Sequence, residues 1–399
     1  MQLHQEKFRR LCASLLAATL TLSAQLFAED AATTRLSHAA QLLTSGNLER
    51  AENEIQAVLR LSPDEYRALD LLGVIRILQH RTTDAEELFR RVVEIKPDFA
   101  SGHAHLGLLY LQVGRPKQAI PELREAVGLD SARTDASDAL LHTWREQAQA
   151  STAAGDSATA LALLVDARKL APNNPDVQFE LGMAALRMSL WQDAIEAFQR
   201  TLQLRKDDPM AVWGLGRAFM GQSKFEEARD QFARYVVIRP DDSSGHCSLG
   251  MTLAALEHSA DARAQFDQSI ALAPAQTESY YRLGLLDLEN KDLDSAEKDL
   301  RHAIERDPKQ SGALAAMGRV EFERKHFSEA AAFLRQAIDN DDSLRVAHYY
   351  LGLPYSRMGR KPESDRELEK VTQLEQEEVE KQRTIFKISD PGSVSAQTP

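Results

Sequence analysis

Cysteine is almost missing: Cys12 and Cys247 are the two in 399 residues. A disulfide framework is therefore excluded, and stability has to come from packing. Beyond residue 28 no apolar run is long enough to cross a bilayer. The motifs that carry chemistry are absent as well. No His-Glu-x-x-His, Cys-x-x-Cys, phosphate loop or Gly-x-Ser-x-Gly occurs, so nothing points to a catalytic residue, a metal or a cofactor, and the chain reads as a non-enzyme. His103 and His105 are two apart and would point different ways on a helix. His246-Cys247 could suggest a thiol nucleophile, but a lone cysteine on a helix is more often a small packing residue. His302, His326 and His348 read as surface or internally satisfied side chains.

Positive charge is also in deficit, with 48 Lys and Arg against 60 Asp and Glu and a formal net charge of −12. Such a surface repels nucleic acid and does not favour anionic lipid, while it helps to keep a long chain soluble.

What is present is a period. Gly182, Gly216, Gly250, Gly284 and Gly318 follow one another every 34 residues. Twelve residues after each comes an alanine (Ala194, Ala228, Ala262, Ala296, Ala330), and sixteen after comes a large apolar residue (Phe198, Phe232, Phe266, Leu300, Leu334). The register extends to Gly352 and back to Gly107, Gly73 and Ala39, broken by one gap of 75 between Gly107 and Gly182 that is two periods plus seven. Ten repeats result, starting at Ala32, Tyr66, Ala100, Leu141, Pro175, Pro209, Ser243, Thr277, Ser311 and Arg345. A fixed period of this length marks stacked copies of one supersecondary unit.

The spacing inside one repeat predicts its form. From Pro209, Leu215, Gly216 and Phe219 recur at helical intervals, Ser223-Lys224 interrupts, and Ala228, Phe232 and Tyr235 form a second stripe. Two helices of about a dozen residues joined by a tight turn are expected. Gly46, Gly114, Gly155 and Gly359 fall where the first helix must stop in a left-handed cap. Prolines near the end of each repeat break the second helix.

Those residues resemble the tetratricopeptide repeat family, whose pattern is W-x2-L-G-x2-Y, then A-x3-F, then P. Leu106-Gly107-x2-Tyr110 and Leu351-Gly352-x2-Tyr355 match its first half, Ala85-x3-Phe89, Ala194-x3-Phe198, Ala228-x3-Phe232 and Ala262-x3-Phe266 its second, and Pro63, Pro97, Pro172, Pro240, Pro274 and Pro308 its close. The opening Trp appears only as Trp144, and the first, third, fourth and last repeats are degenerate. The resemblance implies an all-α fold, a right-handed α-solenoid of helix-turn-helix units.

The expected organisation is as follows. Residues 1–28 read as a signal peptide: Lys7, Arg9 and Arg10 precede an apolar run, and Ala28 stands before Glu29-Asp30. Export to the periplasm or secretion follows; the alternative is an uncleaved inner-membrane anchor formed by residues 11–28. Residues 32–378 form the array, with the seven-residue insertion at 134–140. Seven residues are close to two helical turns, so a first helix starting near Thr134 to Ser137 is preferred over a loop bulge. A capping helix is expected over 379–389 and a disordered tail over 390–399. Pro354 falls inside the first helix of the last repeat, where it should kink it.

In the family, the second, fifth, ninth and twelfth residues of each first helix line the concave side, where ligands usually bind. Mapped onto this sequence, the fifth positions include Phe179, Trp213, Cys247, Tyr281 and Tyr349, and four of the ten are aromatic against 6% for the whole chain. The same rows hold Met183, Leu186, Met210, Met220 and Met251, with Arg217 and Arg319 as isolated charges. A surface of aromatics, methionines and occasional cations suits an apolar or mixed peptide. Adjacent first helices could instead bury Phe179 and Trp213 between them. The family's chaperone-carboxylate clamp resembles Lys at a fifth position with Asn at the ninth, and no Asn occupies a ninth position here. The reading is an exported scaffold that binds a protein or extended peptide in its groove, without nucleic acid, and with a membrane only if the N-terminal segment is uncleaved. A membrane-anchored envelope assembly factor using convex or terminal surfaces is the alternative.

Overall fold

Each first helix ends because the chain turns left-handed two residues past its last turn. At Gly46, Gly114, Gly155 and Gly359 φ lies between 73° and 81°. The turn closes the same way wherever it recurs: Gly114 N–H donates to the Leu111 carbonyl and Arg115 N–H to that of Tyr110. These bonds satisfy carbonyls that the helix leaves without partners. His80, Ser189, Ser223, Glu257, Lys291 and Lys325 occupy the same place in the other repeats, also at positive φ. Six side chains thus accept a conformation that glycine adopts more easily.

A computed structural model describes residues 31–389, and all their regular structure is helical. The expected signal segment, residues 1–28, and the expected tail, 390–399, lie outside the described residues. In chain order the helices are α1 (31–44), α2 (Leu48–Leu61), α3 (Tyr66–Leu78), α4 (Thr82–Ile95), α5 (Ala100–Gln112), α6 (Pro116–Leu129) and α7 (Thr134–Ala153). They continue with α8 (Ser157–Leu170), α9 (Pro175–Arg187), α10 (Trp191–Leu204), α11 (Pro209–Gly221), α12 (Phe225–Ile238), α13 (Ser243–Ala255) and α14 (Ser259–Leu272). The last are α15 (Glu278–Glu289), α16 (Leu293–Arg306), α17 (Ser311–Glu323), α18 (Phe327–Asn340), α19 (Arg345–Arg357) and α20 (Lys361–Ser389). Two compact bodies are formed, one ending at Ala150 and one beginning at Ser151.

Within the N-terminal body α3 packs on α2, α4 and α5, and α5 on α4 and α6. Within the C-terminal body each helix from α8 to α20 packs on the next, and first helices also meet across repeats: α9 with α11, α13 with α15, α15 with α17, α17 with α19. Neighbours in space are neighbours along the chain. This is the nearest-neighbour arrangement expected of a repeat array.

The period is explained by one close approach. A Cβ on Gly216 would lie 2.9 Å from Phe232 Cε1, one on Gly250 2.7 Å from Phe266 Cε1, and one on Gly318 2.5 Å from Leu334 Cγ. The glycine lets the second helix lay its large residue flat against the first helix. Phe89, Phe198, Phe232 and Phe266 are in consequence among the largest fully buried side chains. Several first helices are also capped at their start. Asn174 Oδ1 accepts from the Asp176 and Val177 N–H groups, Asp208 Oδ1 from those of Met210 and Ala211, and Pro175 and Pro209 follow at the first helical position.

Three local features differ from one another in kind. The insertion is taken up in α7, which starts at Thr134 and runs for 20 residues where most first helices have 13. α19 continues as helix through Pro354, which is buried. The boundary expected between 378 and 379 is not a break: one helix of 29 residues, α20, spans Lys361–Ser389, and its N-terminal half packs on α19. A glycine or proline to stop it is missing between Glu363 and Ile388, so there is no physical cause for a separate capping helix.

Candidate functional site

The sequence-expected residues all lie in the C-terminal body, on the first helices α9, α11, α13, α15, α17 and α19. Phe179, Met183 and Leu186 project from α9 and pack, half-buried, against a core formed by Ala185, Phe198, Leu215 and Ala218. The Phe179 and Phe198 ring centroids are 6.0 Å apart. Trp213 and Met220 on α11 and Met251 on α13 are half-buried against the next core cluster, which contains Phe232, Leu253 and Phe266. Tyr281 on α15 sits against Ala313 and Met317 of α17. These side chains are neither fully core nor free: one edge is packed between repeats and the other faces solvent.

Met210, 44% exposed, and Tyr349, 46% exposed, are the open members of the row. Cys247 is the exception in the other direction. It is 6% exposed and belongs to the core between α13 and α15, where burial pushes its thiol pKa up and a hydrogen bond with Ser279 opposes the shift in part. A thiol in that position has neither the accessibility nor the thiolate character to meet a partner or a substrate. The small side chain fills the fifth position, so the row of rings is interrupted between Trp213 and Tyr281.

The two cations of the row are held by rings. The Arg217 guanidinium lies 5.0 Å from the centroid of Trp213, and that of Arg319 4.6 Å from the centroid of Tyr350. Arg282 stacks on Tyr281 at 5.1 Å and also pairs with Glu278 at 2.7 Å. Desolvation raises the Tyr281 pKa, so its hydroxyl is a neutral donor and acceptor at physiological pH. Tyr350 and Arg282 fall outside the four register positions, and the sequence reading missed both. The doublet Tyr349-Tyr350, whose rings stand 5.2 Å apart, is the one signal that could have found Tyr350, since two adjacent tyrosines on a helix cannot both face the core; Arg282 had none.

The histidines resolve into structural ties. His103 Nδ1 meets Glu122 Oε2 at 2.7 Å and its Nε2 the Pro97 carbonyl at 2.9 Å. His246 bridges Gln265 and the Pro240 carbonyl, and His348 bridges Glu367 and the Asp342 carbonyl, in the same geometry. All three stand fourth in their repeat and fasten the first helix to the second helix and to the preceding loop. His105 instead faces Asp70 at 2.7 Å. Among the described residues no group of three or more His, Cys, Asp or Glu could hold a metal ion, and no helix is long and apolar enough to cross a membrane.

The chain is similar to known repeat proteins along most of its length. Family models described as tetratricopeptide repeat match residues 36–99, 145–209, 179–243 and 247–311 with one profile, which alone takes in more than half of the chain. Further tetratricopeptide profiles match residues 287–350 and 100–133. No curated protein matches. Among solved structures, the Cut9–Hcn1 hetero-tetramer of the APC/C is similar at 12% identity, covering 90% of this chain and 84% of that one with a TM-score of 0.50. MamA from Desulfovibrio magneticus RS-1 aligns at 20% identity over 43% of this chain and 96% of its own, with a TM-score of 0.40. YrrB, described as a TPR protein with an unusual peptide-binding site, aligns at 19% identity over 46% of this chain and 95% of its own, with a TM-score of 0.36.

Proposed function

The chain belongs to the tetratricopeptide repeat family, a protein-interaction scaffold fold, and from that premise we propose that it binds an extended segment of a partner protein along the first helices of its C-terminal body. One observation carries the reading. On α9, α11, α13 and α15, half-buried aromatic and methionine side chains stand at the four register positions of their repeats, each packed on a core cluster and in part exposed, and the row of rings is broken only by Cys247 before Tyr281 and by Ala315 before Tyr349. Rigid rings that are already ordered lose little entropy on contact, and methionine adapts to the shape it meets. Met210, Trp213, Met220 and Tyr281 form the centre of the surface, with Phe179, Met183 and Leu186 on one side and Tyr349 on the other.

The test begins with crosslinking in the native compartment and identification of the captured partner. Trp213→Ala combined with Tyr281→Ala should then weaken capture at least tenfold while helicity measured by circular dichroism is unchanged. Full capture by that double variant would refute the reading.

We propose further that the protein is exported. The support is the run of basic and then apolar residues in 1–28, ending at Phe27-Ala28. N-terminal sequencing of the protein from its producing cell separates the alternatives. A start at Glu29 means cleavage and leaves no tether, and a start at Met1 means that residues 11–28 are retained.

A further inference from the structure

The second, fifth, ninth and twelfth positions of α9, α11, α13, α15, α17 and α19 carry four charged side chains: Asp176, Arg217, Glu278 and Arg319. The two carboxylates are already matched. Arg205 pairs with Asp176 at 2.6 Å and Arg282 with Glu278 at 2.7 Å. The two arginines are not. Other guanidinium groups of this body do meet carboxylates, among them Arg324 with Glu297 and Asp294, and Arg345 with Glu375. Arg217 and Arg319 meet rings, Trp213 and Tyr350, and have no carboxylate partner among the described residues. The chain has twelve more acidic than basic residues, yet both cations of this register are held by rings and not by carboxylates.

Stacking does more than hold them. A guanidinium lying on a ring is fixed in plane, while its edge N–H donors remain free to grip a carboxylate with two parallel bonds. Arg217 is exposed and Arg319 half-exposed, so both edges are accessible. Both stand at the ninth position, three repeats apart, and the ninth positions between them are Met251 and Leu285. The column therefore reads cation, apolar, apolar, cation.

Resting on the groove reading above, we propose that the occupant is an acidic segment: an extended peptide with two carboxylate side chains, one for Arg217 and one for Arg319, and an apolar stretch between them that lies on Met251, Tyr281 and Leu285. Packed helices stand 8–10 Å apart, so three steps span about 25–30 Å. An extended chain covers that when the two acids stand about eight or nine residues apart.

The experiment uses the full chain, immobilised, and a displayed library of randomised sixteen-residue peptides. Selected peptides should be enriched in pairs of Asp or Glu about eight to nine residues apart with apolar residues between. A labelled peptide of that design should bind three- to tenfold more tightly than its Asn and Gln counterpart, and the difference should shrink at high salt. The pair Arg217→Gln and Arg319→Gln should abolish the preference and leave binding of the amide peptide as it was. Selected peptides that are apolar without acids, bound equally by both forms of the protein, would overturn the acidic segment but leave the groove standing. Peptides whose binding ignores Trp213→Ala with Tyr281→Ala would overturn the groove and this proposal together.

Discussion

Phe198 lies over two glycines at once, Gly182 of its own repeat and Gly214 of the next: added Cβ atoms there would stand 2.7 Å from its Cε1 and 2.5 Å from its Cζ. The ring is thus the joint between repeats as well as within one. It is fully buried and cannot swing aside without opening the cluster of Ala185, Ala194, Leu215 and Ala218.

Replacing Gly214 with alanine should therefore destabilise the C-terminal body by about 1–3 kcal/mol through overpacking, in spite of alanine's better helix propensity. Gly128 in α6 has nothing within 4 Å of an added Cβ, so Gly128→Ala should stabilise by about 0.5–1 kcal/mol. Urea denaturation midpoints followed by circular dichroism compare the two, and equal shifts of the same sign would show that the ring contact is not what matters.

The left-handed turn positions offer a second test. Lys325 holds φ at 67° where Gly359, one period on, holds 75°. Lys325→Gly should raise the denaturation midpoint and Gly359→Ala lower it, each by about 1 kcal/mol, because a side chain at positive φ crowds the following carbonyl. Both positions are exposed to solvent, so the sign of each change reports the backbone.

Glu297 gives the chain a pH-dependent element. Its hydrogen bonds with Arg324 and Arg301 hold its pKa below the usual glutamate value of 4.5. A depressed folded-state pKa means stability that is present above 4.5 and is lost as pH falls through the lower folded value. Glu297→Gln should therefore be less stable than the parent at pH 7, and the gap should close as the pH is taken down from 4.5 through the lower folded value. Thermal midpoints across that range measure it, and a gap independent of pH would exclude the ion pairs as its cause.

Cys247 should be nearly inert while the fold is intact. Its thiol is buried beside Ser279 and its pKa is raised, so both access and thiolate content are low. Iodoacetamide labelling of Cys247 at pH 8, followed on its own peptide by mass spectrometry so that Cys12 does not contribute, should track the urea unfolding curve of the C-terminal body. Rapid labelling of Cys247 in native buffer would mean that α13 and α15 separate readily.

The repeat was readable from residue order because the spacing of Gly216, Ala228 and Phe232 is itself a record of two helices in contact. Close approach needs a small residue on one helix and a large one on the other, and the period states both. Gly46, Gly114, Gly155 and Gly359 likewise announced their turns. The six equivalent turns at His80, Ser189, Ser223, Glu257, Lys291 and Lys325 were not legible by residue type, since a strained backbone tolerated by its surroundings leaves no chemical mark. The missing stop signal after Glu363 was legible in the sequence, yet a boundary was expected between 378 and 379, where α20 runs on as one helix.

Residue order alone thus determined the helical pairs, their number and the face on which Trp213, Met220 and Tyr281 stand, because periodicity follows from local geometry and nearest-neighbour packing. Tertiary structure alone decided that Cys247 is sealed while Met210 and Tyr349 are open, that three histidines act as ties, and that Arg217 and Arg319 rest on rings instead of carboxylates. Those outcomes depend on which side chain of an adjoining helix arrives first at a given point in space, and the spacing within one helix carries no information about that.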